Sequence, residues 1–175
     1  MMNDQLRAHV AEMAKILAIQ DNHAMIVTRN DDGSALFETA CINDTTMVQT
    51  LLSVSDAQSY INYTDVHGRT PIFQAASKGH TFIVSQLITA RSNVHLATTV
   101  DAVTPLFVAA QNGHVVVATL IDTSCGVDLV CDDDGSTPLY ATASDGHAGV
   151  VTQLIVSCSN VDITLTTNRA TPILL

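Results

Sequence analysis

Tryptophan is absent from the 175 residues, and aromatic side chains make up only 4% of them. A core here must therefore be built from aliphatic and small residues. No apolar run reaches the roughly 18 residues that a membrane-crossing helix needs. The first twenty residues, MMNDQLRAHVAEMAKILAIQ, carry Asp4, Arg7, Glu12 and Lys15. These interrupt the continuous apolar stretch of a secretory signal. The expectation is a cytoplasmic or otherwise intracellular protein that makes no use of a membrane. The four cysteines, Cys41, Cys125, Cys131 and Cys158, include no CxxC pair. That spacing speaks against a metal knuckle or a disulfide framework and for small buried or half-buried thiols. Sequons at Asn43 and Asn62 carry little weight in a protein expected to stay inside the cell.

Positive charge is the other scarcity. Residues 92–168 hold eight Asp and not one Lys or Arg, whereas residues 1–91 hold nine acids and six bases. The formal net charge is −10. Binding a phosphate backbone needs clustered cations, so a nucleic-acid partner is not expected. A basic segment of another protein would be attracted to the acidic half.

What the chain does contain is repetition. TPIFQAASKGH at 70–80 returns as TPLFVAAQNGH at 104–114 and TPLYATASDGH at 137–147. A degenerate version, SALFETACIND, stands at 34–44, and a further Thr171-Pro172 follows near the end. In the clearest unit, Thr70 suits a helix N-cap and Pro71 the first helical position, where a missing N–H costs nothing. Ile72, Ala75 and Ala76 follow at helical spacing, and Gly79 ends the helix. A second helix is predicted from Thr81, with Val84, Leu87 and Ile88 as its apolar stripe. Residues 94–100 then read as extended. The stripe recurs as Val48, Leu51, Leu52, as Val117, Leu120, Ile121, and as Val151, Leu154, Ile155. The third copy comes one residue early relative to its Thr-Pro. That implies a one-residue deletion in its second helix, offset near Cys125-Gly126. Two short helices cannot bury both their faces, so such units must stack to share one core.

The Thr-Pro starts, the paired alanines, the Gly-His pair and the period of about 33 residues together resemble ankyrin repeats. The resemblance implies an all-α solenoid of stacked helix-turn-helix units joined by extended hairpin loops. The expected organisation is a capping helix at 4–20 and first loop (1–30), a degenerate repeat (31–66), three repeats (67–100, 101–133, 134–167) and the start of a fifth (168–175). Some positions depart from the family. The histidine that usually follows Thr-Pro-Leu is Phe37, Phe73, Phe107 and Tyr140, so its loop-tying hydrogen bonds should be missing and buried aromatics should replace them. The loop glycine is Ala102 in the third repeat, where a distorted hairpin is expected. The fifth start leaves the apolar side of the fourth repeat bare. That points to a longer array or to self-association through this end.

Few residues suggest chemistry. His80, His114 and His147 stand one repeat apart, and stacked helices lie roughly 8–10 Å from each other. Neighbours on this ladder are too distant to share one metal, and each is read as closing the turn between its own two helices. The run Cys131-Asp132-Asp133-Asp134-Gly135-Ser136 fails the calcium-loop pattern, which would require ligands at Val130 and Ala141. No catalytic or nucleotide-binding motif is present. The sequence predicts no catalytic residue, no metal and no cofactor.

The resemblance implies a non-enzymatic protein–protein interaction module that binds through its hairpin tips and the exposed face of its first helices. Carried over position by position, the partner-binding candidates are His67, Arg69, Gln74 and Lys78 in the second unit. The third unit supplies Val103, Val108, Gln111 and Asn112, and the fourth Asp134, Ser136, Ala141 and Asp145. Val103 and Val108 are expected to be exposed apolar residues at the centre of a strip that runs from basic to acidic. The alternative is a regulatory or targeting segment of a larger multidomain protein such as a kinase or ubiquitin ligase.

Overall fold

The computed structural model describes residues 34–53, 57–123 and 135–157. The expected capping helix, the fifth start, Asp134 and Cys125, Cys131 and Cys158 lie outside these residues. Four helix pairs follow one another: α1 (Ser34–Ile42) with α2 (Thr45–Ser53), α4 (Pro71–Lys78) with α5 (Thr81–Thr89), α6 (Pro105–Gln111) with α7 (Val117–Thr123), and α8 (Pro138–Ser144) with α9 (Ala148–Ser157). A single turn, α3 (Ala57–Tyr60), sits in the loop after the first pair. The first helices pack in the order α1, α4, α6, α8, and the second helices in the order α2, α5, α7, α9. Among the described residues there is no strand.

The repeated residues build each layer as their chemistry predicts. Thr70, Thr104 and Thr137 are extended at their helix starts, and each hydroxyl accepts from the N–H three residues on, at 3.1–3.2 Å. Each caps a donor that would otherwise be orphaned. Ala75, Ala76, Ala109 and Ala110 are fully buried, which lets successive first helices approach closely. Gly79 takes φ +73° at the end of α4, and the N–H of His80 closes back on the Ala75 carbonyl at 2.9 Å. In the degenerate unit Asn43 takes the same left-handed conformation at φ +64°. Asn tolerates that region better than other non-glycine residues.

The histidine ladder joins layers, where the sequence pattern alone assigns each histidine to its own turn. His80 Nε2 donates to the Cys41 carbonyl of the preceding unit at 3.2 Å, and His114 Nε2 to the Ser77 carbonyl at 3.0 Å. A Cβ on Gly79 would lie 2.8 Å from Nδ1 of His114, and one on Gly113 would lie 2.5 Å from Nδ1 of His147. The glycine of one layer is thus the seat for the histidine ring of the next. This explains why Gly and His recur as a pair.

Two further expectations are refined. The fully or nearly buried stripe of the second helices, with Val116 in the turn just before α7, is Met47/Leu51, Ile83/Leu87, Val116/Leu120 and Val150/Leu154. Its second member in each unit is a residue of the predicted stripe, and its first member adds the residue just before the predicted start. Val48 and Val84 are also buried, Val151 is half-buried, and Ile155 is exposed. The one-residue deletion in the third unit is absorbed at the start of α7. There Val115 and Val116 form a turn and the helix begins four residues after Gly113. In the second unit it begins two residues after Gly79.

Phe37, Phe73 and Phe107 are buried and Tyr140 is half-buried. Phe37 meets the loop residue Tyr63 edge-on, with ring centroids 5.8 Å apart. Phe107 packs with Val103 and Ala141. Burial against loops thus occupies the place of the missing histidine.

Candidate functional site

Between the hairpins of the second and third units lies a groove of about 560 Å³. Its lining combines His67 and Arg69 from one hairpin, Val100, Asp101 and Val103 from the next, and Phe73, Val108 and Gln111 from helices α4 and α6. The two hairpins are tied to each other by the Thr99 N–H, which donates to the His67 carbonyl at 2.9 Å.

Each hairpin is closed locally. In the second unit, Asp65 Oδ1 accepts from the backbone N–H groups of His67 and Arg69, both at 2.9 Å. Its Oδ2 accepts from Arg69 Nε at 2.7 Å, completing an ion pair with the guanidinium. Burial works against the Asp65 carboxylate. The side-chain and backbone hydrogen bonds from Arg69, the backbone N–H of His67 and the Arg69 charge outweigh it, and the pKa lies below its ordinary value. In the third unit Thr98 replaces the aspartate, and its Oγ1 accepts from the Val103 N–H at 3.0 Å. The closing backbone bond runs from Thr98 N to Val103 O, one residue wider than the Asp65 N to Arg69 O bond of the second hairpin. Ala102 takes φ +50°, in the left-handed region where Gly68 (+77°) and Gly135 (+70°) also lie. The expected distortion is therefore a wider turn, with Ala102 forced into a glycine conformation.

The twelve residues expected at the partner surface divide unevenly. His67, Lys78, Gln111, Asn112 and Asp145 are exposed. His67, Arg69, Val103, Val108 and Gln111 come together around the groove. Gln74, Ala141 and Ser136 are buried, at 8%, 8% and 6% exposure, which corrects the expectation for these three. First helices set this close leave the faces of Gln74 and Ala141 little open surface. Val103 and Val108 are half-buried: Val103 packs on Phe107 and Ala141, and Val108 against the main core. Asn112 also has a structural task, since its Nδ2 donates to the Ser77 carbonyl at 3.0 Å. Arg69 is committed to Asp65, so the basic end of the expected strip is largely neutralised there.

Some groove residues were missed. Val100 is 69% exposed, and Val66, its counterpart one repeat earlier, is 90% exposed. Their 34-residue spacing puts both at hairpin tips and was visible in the sequence. Asp101 is exposed and makes no ion pair among the described residues.

No helix among the described residues is long and apolar enough to cross a membrane. The family model for ankyrin repeats (3 copies) matches residues 6–98 and 73–167. The SMC5-SMC6 complex localization factor protein 1 of Homo sapiens and that of Bos taurus are each 36% identical over 92 residues, which is 53% of this chain. The match spans only 9% of either relative's length. The capped first helices, the glycine–histidine joints and the match across most of the sequence converge: the chain belongs to the ankyrin-repeat family.

Proposed function

We propose that the chain binds a partner protein through the groove between its second and third hairpins. The observation that carries this reading is the convergence of exposed Val100, half-buried Val103 and Val108, and the polar Gln111, His67 and Asp101 on one concavity. Elements of two repeats contribute, so the groove exists only while the layers are stacked. Interfaces of this kind draw their energy from a few buried apolar anchors inside a polar rim.

The test compares capture of partners from source-cell extract by three chains. One is wild type. One carries Val100→Gln with Gln111→Trp, neutral changes at exposed positions. One carries Thr89→Gln on α5, away from the groove. A protein retained by wild type and by Thr89→Gln, and reduced about tenfold on the groove variant, supports the reading. Equal retention on all three would sink it.

A second reading concerns the setting of the module. The relatives are named for localisation of a complex, and the matching segment is a small part of them. We read these repeats as able to act as the targeting segment of a larger protein. A reporter fused to the chain should then gather at a discrete location, and the groove variant should disperse it. An unchanged distribution would leave the localising role without support.

A further inference from the structure

We infer that the groove's occupant is an extended segment of a partner protein, with an aliphatic side chain next to Lys or Arg and its cationic end running toward the fourth unit. This rests on the groove reading above and adds the chemistry of the partner. The apolar requirement comes from Phe73, Val100, Val103 and Val108, which line one concavity. The sign of the charge follows from what is committed and what is free. Arg69 is held by Asp65 through its Nε at 2.7 Å and its terminal nitrogen. The groove therefore offers no free guanidinium to an acidic segment. Asp101, on the opposite wall, is exposed and pairs with no cation among the described residues.

Further along, the direction is set by composition. From residue 92 to residue 168 the chain has eight Asp and no Lys or Arg, and Asp145 is exposed at the end of α8. A segment leaving the groove toward the fourth unit finds no Lys or Arg in residues 92–168 to oppose it. Toward the second unit it meets the neutralised Arg69 pair and, at the far end of α4, Lys78. An acidic segment would be repelled along most of its path, and a basic one drawn in with a salt-sensitive rate.

The experiment selects random linear peptides displayed on phage against the whole chain. Only clones that fail to bind the neutral Val100→Gln/Gln111→Trp variant are kept. The expected winners carry Lys or Arg beside an aliphatic residue. A representative winner should weaken about threefold on Asp101→Asn. It should weaken about tenfold when its cations are replaced by Glu. Its affinity should also fall as salt rises from about 50 to about 300 mM. Asp101 is exposed, so its replacement leaves the fold intact, which a thermal melt checks. Groove-dependent winners that are acidic or indifferent to charge would overturn the inference and leave the groove reading standing. So would an affinity untouched by Asp101→Asn. A selection with no groove-dependent clones would overturn both.

Discussion

In the second hairpin Asp65 accepts two backbone N–H bonds and pairs with Arg69 across a turn that Gly68 makes without strain. In the third, one residue wider, Thr98 supplies a single hydroxyl and Ala102 is held at φ +50°. The two hairpins occupy equivalent places in the stack, but the second spends its charged residues on itself. The third leaves Asp101 and Val100 open. The second hairpin thus forms one wall of the groove with its cation already paired, and the third forms the other with Asp101 outside any ion pair among the described residues. Charge in the sequence does not equal charge on offer: Arg69 was expected to make its end of the strip basic, and Asp65 withdraws it.

Substitutions in the two hairpins should differ in size and in sign. Gly68→Ala should do the most damage, because the new Cβ would lie 2.8 Å from both the backbone N and Cγ2 of Thr99 at a positive φ. A loss of about 2–3 kcal/mol in denaturant unfolding is expected. Asp65→Ala leaves two backbone donors without their acceptor and frees Arg69, at a cost of about 1–2 kcal/mol. Thr98→Ala removes one hydroxyl acceptor and should cost about 1 kcal/mol. Ala102→Gly should have the opposite sign. It relieves the left-handed strain and stabilises the chain by about 0.5–1 kcal/mol, after the entropy of a new glycine is counted. If Ala102→Gly destabilised the chain, the idea that the third hairpin is the strained one would be wrong.

The pH dependence of the second hairpin is the subtlest difference. The folded pKa of Asp65 lies below the unfolded value. Its contribution is therefore fully present above about pH 4, the unfolded carboxylate range, and is lost as pH falls through the folded pKa. Acid unfolding of Asp65→Asn should be shallower than that of wild type below this point. Parallel curves would mean that the carboxylate is not coupled to folding.

Much of the fold was legible because each repeated residue has a local task. Thr70, Pro71 and Gly79 specify a capped helix within one turn of sequence, and agreement across copies specified the stacking. The joints were less legible. His80 and His114 bond to carbonyls 39 and 37 residues away, a partnership that no local pattern reveals. In the second helices the predicted Val84 and Leu87 are fully buried, and Ile83 joins them, so the buried face is wider than the predicted stripe. Periodicity gives the spacing of a buried face, and its rotation depends on the neighbouring layer. At the groove, the position of the first helices was readable but their accessibility was not. Gln74 and Ala141 occupy first-helix surface positions by spacing, yet close packing leaves them buried. Val100 was missed because a valine in an extended stretch reads as part of that stretch, whereas here it stands at a hairpin tip.

A partner seated in the groove between hairpins two and three would cover amides of both hairpins. Amide hydrogen exchange of the whole chain, free and saturated with a selected peptide, reads this out. Slowed exchange is expected at residues 98–103, at 67–69 and at the end of α6 around Gln111, with α5 and α9 unchanged. Slowing confined to the second helices, with the hairpins as fast as in the free chain, would contradict it.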